Sequence, residues 1–186
     1  FNIGGEGQAT AAGIAMAFAC LGLSWAPGFI AVPLAILAAA AGGALWAFIP
    51  GWLQAKRGSH VVITTIMLNF VAATLIVYLL REVIGKPGSM QPETPDFPVQ
   101  AVLTPMHQLL APLGLRLPAT PLNSAFLLAL MALFAVWLLI WRTRLGYALR
   151  TVGANPRAAA YAGISPAAVT MIAMAVSPLL SLLPLR

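Results

Sequence analysis

The chain has 186 residues, 61% of them hydrophobic and 8% charged, with a net charge of +6. A soluble domain is usually about a quarter charged, and the long apolar stretches here lack the polar faces that a soluble bundle would need. One cysteine, Cys20 within an apolar run, leaves no disulfide or zinc pattern, and the distribution of the basic residues argues against nucleic acid.

In chain order, residues 9–25 form a first apolar segment, the least regular of the set. Gly4, Gly5, Gly7, Gly13 and Gly22 are interleaved with small alanines. Small residues let helix backbones approach closely in lipid, and paired glycines permit a break. Glu6 and Gln8 lie in Asn2-Ile3-Gly4-Gly5-Glu6-Gly7-Gln8. An acidic group at membrane depth is usually paired or turned to a water-filled path; the alternative is a solvated interfacial position.

After a turn at Pro27-Gly28, residues 28–49 form a second span, with Gly42-Gly43 inside it. Residues 50–60 read as a short loop carrying Lys56 and Arg57, with His60 an interfacial residue. Residues 61–80 form a third span, in which Asn69 is the only amide, with Thr64 and Thr65 about one turn upstream. Such groups either bond a neighbouring helix or line a polar pathway. The spans 28–49, 61–80 and 122–141 hold no charged residue, and each is close to the roughly 20 residues that cross a hydrocarbon core.

Residues 83–121 hold eight of the 15 prolines, which argues against a long helix. This segment carries Lys86 and Arg116 against Glu93 and Asp96, whereas Lys56, Arg57, Arg142, Arg144, Arg150 and Arg157 fall in two other segments. The positive-inside rule therefore places 83–121 outside and 142–165 in the cytoplasm. In the latter, Asn155 is a good N-cap, Pro156 suits the first helical position, and Gly163 is a natural stop. The spacing predicts a short capped helix at the membrane surface. A further span begins near residue 167.

Enzyme chemistry finds no support in these residues. Neither histidine has a partner at metal-ligand spacing, no cofactor is implied, and Gly85-Lys86-Pro87 is not a phosphate-cradling loop. If ATP drives this protein, another chain binds it.

Three blocks carry a family resemblance: Phe1 to Gln8, Ile63-Thr64-Thr65-Ile66-Met67-Leu68-Asn69-Phe70, and the run Leu145 to Ile164. With them the chain resembles the membrane permease subunits of ABC importers of the branched-chain amino acid, simple sugar and nucleoside group, most of all the nucleoside and sugar permeases. The resemblance implies an all-α polytopic membrane fold, with about five spans in this fragment and residues 1–186 forming part of a single permease domain in a bacterial inner membrane. It implies as partners an ATP-binding cassette subunit, a second permease subunit and an external substrate-binding protein. In such importers a coupling helix docks on the ATPase. Carried over, Asn155, Pro156, Arg157, Ala158, Ala159 and Gly163 would make that contact, and Glu6, Gln8 and Asn69 are candidates for the translocation path.

Two departures stand out. Val61 occupies a place where the family often has an acidic residue. After Ile172 the chain reads Ser177-Pro178 and on to Pro184, where the family continues with Gly/Ala-rich spans, so the chain is expected to be the middle portion of a longer protein. Two rival readings remain open: an ion-coupled transporter with Glu6 as proton carrier, and a non-transporting scaffold whose basic loop binds a partner or anionic lipid.

Overall fold

The computed structural model describes residues 2–86, 88, 90–98, 105–110 and 123–178. Its helices are α1 (Gly5–Gly22), α2 (Gly28–Arg57), α3 (Val61–Tyr78), α4 (Met106–Leu110), α5 (Ala125–Arg142), α6 (Arg144–Ala154), α7 (Pro156–Tyr161) and α8 (Pro166–Val176). A π-helical turn, Leu79–Val83, prolongs α3. Among the described residues the only β pairing is an isolated bridge between Pro105 and Asn123. The described part of 83–121 holds only the five-residue α4; Arg116, the start of the fourth span at residue 122 and the tail beyond Pro178 lie outside the described residues.

Among the described residues three helical segments are long and apolar enough to cross a bilayer: Gly28–Arg57, Val61–Val83 and Ala125–Arg142. The chain is an all-α polytopic membrane protein. α1 has 18 residues but a polar first half, which it tolerates because it packs against both α2 and α3. α8 is a shorter apolar helix that also packs on α2, its end meeting α1 at Gly43.

The α1–α2 pair shows why small residues dominate here. On α2, Ala31, Ala35, Ala39, Gly43, Ala47 and Gly51 are all buried, a ridge repeating every fourth residue along one helix face. Beside this ridge a Cβ on Gly42 would lie 2.5 Å from the Cβ of Ala15. The Gly42-Gly43 pair thus permits close backbone approach, and α2 runs on through it unbroken.

The expected loop at 50–60 is corrected. α2 continues to Arg57, leaving only Gly58, Ser59 and His60 between helices. Proline costs a helix one hydrogen bond and a clash, but in membrane helices neighbouring segments offset this. Here Pro50 and Gly51 are buried, and a Cβ on Gly51 would sit 3.0 Å from the Cβ of Met174 on α8. α2 stops instead at Gly58, whose φ of 65° is left-handed and whose N–H donates to the Gln54 carbonyl at 3.1 Å. A 30-residue helix is about 45 Å long, so its Lys56-Arg57 end projects past a hydrocarbon core of about 30 Å.

α8 runs antiparallel to α2: Met174 meets Gly51, while Pro178 approaches Gly43. The start of α8, and α7 before it, therefore sit at the Lys56-Arg57 end, so the two basic segments share one end of the molecule. α5 makes its main helix contact with α6 and is otherwise widely exposed, with Phe134 stacked on Trp137 at 5.9 Å.

Candidate functional site

The polar residues of the first block converge where α1 begins. Gly4 and Gly7 face α3. A Cβ on Gly4 would lie 3.1 Å from the Thr65 Cβ and 3.2 Å from Gln8 Nε2; one on Gly7 would lie 2.8 Å from Asn69 Oδ1 and 3.1 Å from Trp46 Nε1. The lack of a side chain at Gly7, and to a lesser degree at Gly4, lets α1 nest against Asn69 and Thr65, which are one turn apart on α3. Gly5 has open space around it, so the two glycines of the pair do different things.

The start of a helix leaves N–H groups without partners, and α1 has no side-chain cap of its own. Asn69 supplies one from another helix. Its Oδ1 accepts from the Gly7 N–H at 3.0 Å, and its Nδ2 donates to the Ile3 carbonyl at 3.0 Å. Asn2 completes the junction: its Oδ1 accepts from the Gly4 N–H at 2.8 Å, and its Nδ2 donates to Ser177 Oγ at 3.3 Å. Of the two roles open to Asn69, bonding a neighbouring helix is the one it plays in this conformation.

Gln8 is 1% exposed. Its Nε2 and the indole Nε1 of Trp46 are enclosed without a hydrogen-bond partner. Two donors left unsatisfied in the interior are costly, about 1–3 kcal/mol each. Gln8 and Asn69 are thus brought into one junction through Gly4, Gly7 and Trp46. Glu6 is not; its side chain is exposed on the outer face of α1. The sequence reading missed Trp46 and Ser177. Trp46 left a signal, being the one indole in residues 28–49, with an N–H that must find a partner or go without.

The second candidate is the capped helix. Asn155 Oδ1 accepts from the N–H groups of Arg157 and Ala158 at 3.0 and 3.2 Å, with Pro156 at the first position of α7. At the other end the Ile164 N–H reaches the Ala159 carbonyl at 2.9 Å and the Gly163 N–H that of Ala160 at 3.0 Å, with Gly163 at φ 77°. This is a Schellman closure. Similar chemistry brackets the flanking helices. Thr143 caps α6 by accepting from the Gly146 N–H at 3.1 Å, and Ser165 caps α8 by accepting from Ala168 N–H at 3.4 Å. Ser165-Pro166 repeats the Asn155-Pro156 signal and was equally legible.

The six residues expected to meet a partner divide. Asn155, Pro156, Arg157, Ala158 and Gly163 are exposed. Ala159 is 0% exposed, on a helix that contacts both α6 and α8. Ala159 is thus enclosed by its own chain in this structure and seats α7, whereas the other five face outward. Tyr161, 96% exposed, joins the outward face instead.

The family described as branched-chain amino acid transport system / permease component matches residues 1–183. The chain belongs to this family. Three relatives of this permease-family chain are similar over most of its length. It is 37% identical over 171 residues to a glucose ABC transporter permease protein of Haloferax volcanii, covering 89% of this chain and 43% of that protein. It is 34% identical over 178 residues to a guanosine ABC transporter permease protein of Bacillus subtilis, covering 95% and 48%. It is 31% identical over 178 residues to a nucleoside ABC transporter permease protein of Lactococcus lactis, again covering 95% and 48%. The chain thus spans just under half the length of these relatives. No solved structure matches it significantly.

Proposed function

We propose that the chain forms part of the transmembrane subunit of an ATP-driven importer for a nucleoside or a simple sugar. The observation that carries this is its membership of the permease family, with relatives named for glucose, guanosine and nucleosides. On this reading the subunit performs no chemistry. ATP is hydrolysed by a separate ATP-binding chain, a second permease subunit completes the path, and an external binding protein delivers the solute. Residues 142–165 lie on the cytoplasmic side of the inner (plasma) membrane, and 83–121 lie outside.

α7 is the docking element. Its outward face offers Arg157, Ala158 and Tyr161, while Asn155 and Gly163 fix its two ends. The small Ala158 admits close approach, and Arg157 meets an acidic group. Gln8 and Asn69 belong to the junction that the path must rearrange. Glu6 stands exposed on the other face of α1, toward whatever lies beside this half of the protein.

Co-purification with the ATP-binding subunit tests the reading, with ATP-dependent solute uptake into vesicles as the second measure. Ala158→Trp and Arg157→Glu are expected to weaken both. Uptake that is indifferent to ATP but abolished by collapsing the proton gradient would transfer the assignment to an ion-coupled carrier. Undiminished ATPase binding by both variants would remove α7 as the docking element.

A further inference from the structure

The corner between α5 and α6 carries cations that neither the proposed path nor the proposed docking face uses. Arg142 is the last residue of α5 and Arg144 the first of α6. Arg150 lies further along α6 and folds back, its guanidinium carbon 4.7 Å from the centroid of the Trp141 ring. All three arginines are exposed, as are Trp141 and Tyr147. Among the described residues the only ion pair is Lys86 with Asp96, so none of these arginines has a carboxylate partner there.

We propose that this corner is a binding site for an anionic phospholipid headgroup. Trp141 and Arg142 end an apolar helix long enough to cross a bilayer, so the indole stands at headgroup level, where tryptophan is favoured. Arg150 is held over that ring, on the side of α6 that faces the end of α5. Its Nε donates to the Gly146 carbonyl at 3.4 Å, leaving the terminal N–H groups as a fork suited to phosphate oxygens. Arg142 and Arg144 flank it across the one-residue break at Thr143. A protein partner fits less well, because the stacked guanidinium faces the apolar helix α5, whereas α7 presents a separate outward face to the cytoplasm.

The test uses the full-length protein, purified with its accompanying subunits into nanodiscs holding equal parts phosphatidylglycerol and phosphatidylcholine. Lipids retained on release are counted by native mass spectrometry. The wild type is expected to retain phosphatidylglycerol preferentially. Arg150→Gln should lower that preference about fivefold, in line with the usual contribution of one basic residue at an anionic surface. Arg150→Lys, which keeps the charge and loses the guanidinium over the ring, should fall between. Equal retention of the two lipids by the wild type would overturn the proposal, as would an unchanged preference in Arg150→Gln. Loss of the ATP-binding subunit from Arg150→Gln at constant lipid preference would assign the corner to protein docking instead.

Discussion

Asn69→Ala isolates the contribution of a cap supplied by one helix to another. The substitution removes the acceptor of the Gly7 N–H and the donor to the Ile3 carbonyl. Gly7 is buried, so its N–H loses its partner without gaining water, a penalty of about 1–3 kcal/mol. Ile3 is 42% exposed, and loss of the second bond adds about 0.6 kcal/mol, the average for side-chain hydrogen bonds in membrane helices. A total of about 2 kcal/mol corresponds to a fall of roughly 4–8 °C in the unfolding midpoint for a chain of this size. Cys20 is 7% exposed, so a thiol-reactive dye followed through a thermal ramp reports the opening of α1. Gly7→Ala supplies the control, since its methyl would sit 2.8 Å from Asn69 Oδ1. Removing Asn69 also removes that clash, so the double variant should lose less than the sum of the singles. A midpoint within about 1 °C of wild type for Asn69→Ala would refute the trans-capping argument; the 1 °C bound lies well below the expected range.

Two further outcomes follow from the same geometry. Gln8→Met replaces a buried donor lacking a partner with an apolar chain of similar shape; such a change is neutral or stabilising, so stability should hold or rise, by up to about 2 kcal/mol, and solute uptake should fall if the junction has to open. Asn155→Ala should cost about 1 kcal/mol and Gly163→Ala a similar amount, roughly 1 kcal/mol, because alanine is strained at φ 77°; both should lower ATPase co-purification far more than they lower the thermal midpoint.

Much of this was legible in the residues. Charge-free runs located the long helices, and Asn155-Pro156 with Gly163 located a helix of six residues. What the one-dimensional pattern could not supply was facing. Pro50 reads as a stop because the local cost is visible and the packing of α8 that offsets it is not. Ala158 and Ala159 are chemically identical neighbours, yet one is exposed and the other fully enclosed. Glu6, Gly7 and Gln8 look like one polar cluster in sequence, but helical rotation turns Glu6 outward and Gln8 inward. Trp46 was passed over because its partners in the junction come from segments some 40 residues upstream and 20 residues downstream of it, a distance at which sequence carries no directional signal.

The two sites lie apart, one at the start of α1 and one at α7, but a single strut joins them. α8 begins directly after the Schellman turn that ends α7, lies along α2 through Met174 and Gly51, and finishes with Ser177 bonded to Asn2 and Pro178 against Gly43. Behind Gly43 is the carbonyl of Gln8, 3.4 Å from where its Cβ would be. A push on α7 that α8 carries as a rigid rod therefore arrives, within one helix length, at the Asn2 side chain and the Gln8 backbone, where α1 starts.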